Sequence, residues 1–185
     1  AVYVSSDYVF DGKAKVPYCE EDNAQPISSY GRSKLEGERR LARVYPDGHI
    51  IVRTAWLYGP GKGFVDWARN RLVREEELAL IADQRGSLTF AGEVARGMLT
   101  LVEQGRRGVF HLVNRGDASW HEVGLALAEE LAIETPRLRA IRSSDLSRPA
   151  KRPGYSVMSV DRFERVTGTR VTSWREALRH YLSVS

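Results

Sequence analysis

Short apolar runs alternate along this chain with longer stretches in which apolar residues return every three or four positions. That alternation predicts strands interleaved with helices. Residues 1–10, rich in Val, Tyr and Phe, read as a buried strand that ends in a turn at Asp11-Gly12. Residues 13–29 carry Pro17, Pro26 and the Glu20-Glu21-Asp22 cluster and read as loop. Ser28 or Ser29 can cap a helix over 30–44, with Leu35, Leu41 and Val44 as its apolar stripe and Pro46-Asp47-Gly48 as its stop. A nearly continuous apolar strand follows over 49–58, ended by Gly59-Pro60-Gly61. Strand, helix and strand in this order make the βαβ unit of a parallel sheet. Beyond it the pattern predicts a helix over 64–74 with Phe64, Trp67, Ala68 and Leu72 on one side, a strand over 78–82, a helix over 91–103 and a strand over 108–113. Ser119, with Glu122 three residues on, begins a helix running to 131. A strand over 137–141 and short helices over 161–167 and 173–182 complete an α/β chain without internal repeats.

Composition narrows the class. The 185 residues are 42% hydrophobic and 28% charged, which fits a soluble globular protein of one domain or a domain and a half and excludes collagen-like, mucin-like and disordered chains. Cys19 is the single cysteine, so no internal disulfide forms and a reducing, cytoplasmic setting is expected. No apolar run approaches the roughly 18 residues of a membrane span, and no positive charge precedes an apolar stretch at the start. The chain opens on Ala inside a predicted strand, which points to a fragment. Net charge is +4. The densest basic stretch sets Arg137, Arg139, Arg142, Arg148, Lys151 and Arg152 against Asp145 alone. It lacks the aromatic interleaving of a nucleic-acid binder and suits either a solvated loop or an anionic small molecule such as a nucleoside diphosphate. The four histidines have no metal-ligand spacing, and no metal is expected. His111 reads as a satisfied core residue, Glu20-Glu21-Asp22 as an exposed acidic loop, and Trp120 and Trp174 as core anchors.

Two groupings carry chemistry. Tyr30 and Lys34 stand four apart, on one face of the predicted helix. An ammonium beside a phenol stabilises phenolate and draws its pKa down from about 10 toward a value useful to a general acid or base. Ser6 lies at the carboxyl end of a predicted parallel strand, where open α/β sheets place their ligands. Its hydroxyl can bond and polarise a carbonyl oxygen. Each alone also has an ordinary reading, as a surface tyrosine beside a solvated lysine and as a strand-ending serine that satisfies local backbone.

Together, a serine followed 24 residues later by Tyr-x-x-x-Lys and then a parallel strand has the order of the short-chain dehydrogenase/reductases. The chain resembles their extended branch, and within it the dTDP-4-dehydrorhamnose reductase family. The resemblance rests on Ser6-Asp7-Tyr8-Val9-Phe10-Asp11-Gly12, on Pro26-x-x-x-Tyr30-Gly31-x-Ser33-Lys34-x-x-Gly37-Glu38 and on Arg53-Thr54-x-Trp56-x-Tyr58. It continues through Asp83-Gln84-x-Gly86-x-x-Thr89, His111-Leu112-Val113-Asn114-x-Gly116-x-x-Ser119-Trp120 and Arg152-Pro153-x-Tyr155-Ser156. It implies that residues 1–60, with the helix over 91–103 packing back on them, form the C-terminal part of a Rossmann-like parallel sheet, and that 61–185 form a smaller mixed α/β domain for a nucleotide sugar. It implies reduction of the C4 ketone of a dTDP-4-dehydro-6-deoxy sugar by NADPH or NADH. Tyr30 would protonate the C4 oxygen. Lys34 would tune Tyr30 and hold the nicotinamide ribose, with Ser5 nearby on the cofactor. Ser6 stands where the family usually has threonine. Asp7, Tyr8 and Trp56 would line the sugar-nucleotide pocket with Ser6, and Arg152 would lie near the nucleotide end. The alternatives are a nucleotide-sugar epimerase or dehydratase and a non-catalytic binding module.

The chain also departs from the family. Leu88 precedes Thr89 where the family has proline, so that loop is expected to differ. Gly63 precedes Phe64 where the family has asparagine. The Gly-x-x-Gly-x-x-Gly turn that cradles a cofactor pyrophosphate is absent from these residues, and Gly59-Pro60-Gly61-Lys62-Gly63 reads as a turn instead. A parallel sheet without its neighbouring strands exposes an apolar edge. The expected partners are therefore a dTDP-sugar and either the missing N-terminal half or a second copy, with no nucleic acid and no membrane.

Overall fold

A computed structural model describes residues 1–61 and 63–184. In chain order the elements are β1 (Val2–Ser6), α1 (Ser29–Val44), β2 (Ile50–Thr54), β3 (Leu57–Tyr58), α2 (Phe64–Val73), β4 (Leu78–Ile81), β5 (Thr89–Phe90), α3 (Ala91–Glu103), β6 (Gly108–His111), α4 (Trp120–Glu130), β7 (Leu138–Ile141), α5 (Asp161–Thr167) and α6 (Trp174–Ser183). Short 3-10 turns span Asp7–Val9 and Ser143–Asp145. The α/β class is as expected. Lys62 of the predicted glycine turn lies outside the described residues.

The strands form three parallel groups, in the orders β1-β2-β6, β3-β5 and β4-β7. β2 is buried at all five positions, as a central strand of a covered sheet must be. Ile50, Val52, Phe110 and Leu112 pack against Val94 and Leu101 of α3 and Phe163 of α5. A second core joins α2, α4 and α6 to β4 through Val65, Leu72, Leu80, Val123, Leu127 and Leu178. Among the described residues β1 borders its sheet on one side alone, leaving Val2 and Val4 43% and 39% exposed. No helix is long and apolar enough to cross a membrane among the described residues.

Four expectations need correction. The strand over 1–10 stops at Ser6, because the Ser6 side chain accepts from the Tyr8 amide and starts a 3-10 turn. Val9 and Phe10 are apolar because they are fully buried in the core, not because they continue the strand. The strand over 49–58 breaks at Trp56, whose φ of 41° lies in the left-handed region. β3 then leaves the first sheet and pairs with β5. Third, the buried face of α1 is Gly31, Leu35 and Glu38, whereas Val44 is 67% exposed. The carboxylate of Glu38 is drawn inward by Arg53 of β2. Fourth, α2 buries Ala68 and Leu72 as expected, with Phe64 packed partly buried against the same core, but Val65 joins them in place of Trp67. Trp67 stays 43% exposed under the Arg71 guanidinium. Gly63 caps α2 without any side-chain hydrogen bond, since glycine has no side chain to supply one. The Leu88-Thr89 loop is accommodated, with Leu88 buried and the Thr89 hydroxyl donating to the Ser87 carbonyl at 2.9 Å.

Candidate active site

Parallel strands leave free backbone groups at their carboxyl ends, and the residues after β1 and β2 gather there around one cleft of about 400 Å³. Its walls are Ser5 and Ser6 at the end of β1, Asp7 and Tyr8 in the turn that follows, Tyr30 and Lys34 on α1, Thr54 at the end of β2 with Ala55, Trp56 and Leu57 beyond it, and Trp120 at the start of α4. Ser28 caps α1 by accepting from the Gly31 amide at 3.1 Å, which sets Tyr30 in the first turn. Helix and strand meet so closely that a Cβ on Gly31 would lie 2.0 Å from the Tyr8 carbonyl oxygen, so only glycine fits. The Tyr8 and Tyr30 rings meet edge to face at 5.7 Å.

Tyr30 is 52% exposed, and among the described residues its hydroxyl has no hydrogen-bond partner. The Lys34 ammonium donates to the Val4 carbonyl at 3.1 Å and stands 5.8 Å from the centre of the Tyr30 ring. That carbonyl faces the open side of β1, because Ala1 O accepts from Ile50 on the other side and carbonyls alternate along a strand. Lys34 therefore sits where the sheet edge, the tyrosine and the cleft meet.

Ser6 accepts from the Tyr8 amide at 3.2 Å and donates to the Asp7 carboxylate at 2.9 Å. Asp7 is fully buried, and desolvation pushes its carboxyl up to about 6. Tyr8 is half-buried; burial raises its phenol, and Arg152 and Arg148 pull in the opposite direction. Arg148 and Arg152, two of the five arginines of the basic stretch, thus act on Tyr8 at the cleft, which favours an anionic ligand over a purely solvated loop. Ser5 is placed differently from its expected role. Its hydroxyl donates at 2.5 Å to Glu38, which also accepts from Arg53 at 3.0 and 2.7 Å. That side chain ties strand to helix, and what Ser5 can offer a cofactor is backbone.

Trp120 packs partly buried against the second core, as expected, and is also a wall of the cleft. Its indole lies parallel to Trp56 at 3.8 Å, with Phe64 leaning on it at 4.3 Å. Gly86 makes room for the pair, since a Cβ there would come within 2.5 Å of the Trp56 ring. The capping box of Ser119 and Glu122 fixes the turn that carries Trp120. Trp174 is buried as expected. The acidic loop is partly structural: Glu20 accepts from the His111 amide at 2.9 Å, and Glu21 pairs with Arg162. His111 is fully buried, with Nδ1 bonded to the Ser159 carbonyl and Nε2 without a partner, so it is half satisfied. Among the described residues no cluster could hold a metal ion. A separate cavity of about 250 Å³ between α3 and residues 169–172 contains none of these groups.

The family model described as "RmlD substrate binding domain" matches residues 1–185. The chain belongs to the RmlD substrate binding domain family. A dTDP-4-dehydrorhamnose reductase of Sinorhizobium fredii is 39% identical over 96% of this chain and 64% of its own length. A crystal structure of a dTDP-4-dehydrorhamnose reductase from Clostridium acetobutylicum superposes with a TM-score of 0.92 at 36% identity, covering 99% of this chain and 65% of the other. The Bacillus anthracis dTDP-4-dehydrorhamnose reductase, solved in complex with NADP, gives a TM-score of 0.92 at 31% identity over the whole of this chain and 65% of its own. This RmlD-family chain spans somewhat less than two thirds of each of these relatives.

Proposed function

We propose that this chain is the substrate-binding part of a cytoplasmic reductase that converts the C4 ketone of dTDP-4-dehydrorhamnose to the alcohol of dTDP-rhamnose. The observation that carries the reading is the convergence of Ser6, Tyr30 and Lys34, from a strand end and a helix, on one cleft. The family membership and the names of the relatives support it. NADPH, or NADH, would supply the hydride when bound, and the NADP complex of the Bacillus anthracis relative favours the former. The residues here fit one portion of such a cofactor. The Tyr30 hydroxyl is unengaged among the described residues, and two of the three Lys34 N–H bonds remain after Val4, so both groups keep hydrogen-bonding capacity for a ribose hydroxyl. Residues 1–60, with α3 and β6, would form the cofactor side, and the remainder the sugar-nucleotide side.

In this scheme Tyr30 donates its phenolic proton to the C4 oxygen as negative charge develops there, and Lys34 stabilises the resulting phenolate. Ser6 donates a hydrogen bond to the same oxygen. The Trp56-Trp120 wall excludes water from one side of the sugar, and Arg148 and Arg152 attract the pyrophosphate. The open side of β1, with Val2 and Val4 exposed, would be covered by a strand of a cofactor-binding segment. Intact Ser6, Tyr30 and Lys34 disfavour a non-catalytic module. Calorimetric titration with dTDP, with UDP and GDP as controls, tests the substrate assignment. dTDP is expected to bind at least tenfold more tightly than either control; equal affinities, or none, would overturn it.

A further inference from the structure

Ser6 can donate to a ligand oxygen only under a condition set by Asp7. A hydroxyl has one proton and two acceptor sites. The Ser6 Oγ already accepts from the Tyr8 amide, and its proton is given to Asp7 Oδ1. While Asp7 is ionised, turning that proton toward the cleft strips a buried carboxylate of its donor, which is costly. If Asp7 carries a proton, the bond reverses. Asp7 then donates to Oγ, Oγ accepts twice, and the Ser6 proton is free for the cleft.

The surroundings of Asp7 suit this. It is 2% exposed, and among the described residues no cation forms a salt bridge with it. Its Oδ2 is buried without a well-formed hydrogen bond, although the Ser156 hydroxyl lies close enough to favour the charged form. Thr54, the register partner of Ser6, adds a buried hydroxyl without a partner. The titratable and charged groups around the cleft are Tyr8 on the same turn, Tyr30 and Lys34 on α1, and Arg148 and Arg152 beyond Tyr8. A buried carboxyl without an ion pair takes up a proton readily, and desolvation is the dominant influence on this one.

We propose that Asp7 takes up a proton from solvent as a sugar nucleotide enters the cleft, and that protonated Asp7 is the positioning residue that turns Ser6 into a donor toward the ligand oxygen. The inference rests on the nucleotide-sugar reading of this cleft. No covalent bond to the ligand is made or broken by Asp7. Its proton returns to solvent when the ligand leaves, and the proton that stays on the product oxygen is the one from Tyr30.

The test is calorimetric titration with dTDP-rhamnose at pH 7 in two buffers of different ionisation enthalpy, on the protein that carries this chain. With the carboxyl near 6 before binding, roughly 0.9 proton is taken up per ligand. In Asp7→Asn, whose amide donates to Ser6 permanently, the uptake vanishes. The 13C resonance of the Asp7 carboxyl gives an independent reading in the unaltered protein, with its titration midpoint moving up by more than about two pH units on binding. Binding with no buffer-dependent heat, an unmoved midpoint, or the same uptake in Asp7→Asn would overturn the inference and leave the nucleotide-sugar reading standing. Absence of any binding would overturn both.

Discussion

Asp7 and His111 are buried titratable groups whose effects on stability run in opposite directions with pH. The Asp7 carboxyl is raised from 3.8 to about 6 by desolvation, so the folded state binds its proton more tightly than the unfolded state. The stability this confers is present below the unfolded value and is lost as pH rises through about 6, an effect of about 3 kcal/mol for a fully buried group. Asp7→Asn is therefore expected to unfold at a higher temperature than the parent at pH 8, with the gap closing toward pH 4. Thermal melts across that range check it, and a gap independent of pH would contradict it. His111 is lowered from 6.5 to about 3 by burial, so its contribution is present above 6.5 and is lost as pH falls toward 3. At this scale Tyr30, Lys34 and Ser6 were legible because their types and spacing state a chemistry. The burial of Asp7 was not, because an aspartate in a polar turn reads as exposed until the fold brings distant residues, such as Ser156, beside it. Nor was the exposed face of Trp120, since a capping box says where a helix starts and not which way its first side chain faces.

Among the elements, α1 does the positioning. Tyr30, Lys34 and Glu38 succeed one another at four-residue steps, so whatever holds Glu38 also holds the two residues above it. Glu38 is 4% exposed, gripped by Arg53 of β2 and Ser5 of β1. An ion pair this far from water is expensive to break from one side, because the remaining charge stays buried. Glu38→Gln is expected to lose about 3–5 kcal/mol in chemical denaturation, whereas replacing both Glu38 and Arg53 with Met is expected to stay within about 2 kcal/mol of the parent. Similar losses in both would mean that packing and not charge governs this contact. The helix was legible from the sequence, and its cap was narrowed to Ser28 or Ser29, of which Ser28 serves. The inward face of the helix was not legible, because a glutamate reads as solvent-facing until its partner on the neighbouring strand is known. The broken strand at Trp56 was hidden for a related reason: the apolar run continues unbroken through residues that belong to two different sheets.

Across the whole molecule, the two sheets that part at Trp56 leave the cleft between them. β1, α1 and the β2 end supply the polar groups, and α4 supplies the second indole of the wall. The α/β class and the order of elements followed from periodicity, but the cleft itself depends on contacts more than 60 residues apart, such as Trp56 with Trp120. Tyr30 is the proton donor of the proposed reaction and stands at the centre of that arrangement. The most direct test is NADPH oxidation with dTDP-4-dehydrorhamnose by the protein that carries this chain, comparing the parent with Tyr30→Phe. The ring is kept and only the hydroxyl is removed, so dTDP binding should be near normal while turnover falls by at least about 10²-fold. Unchanged turnover in Tyr30→Phe would contradict the account.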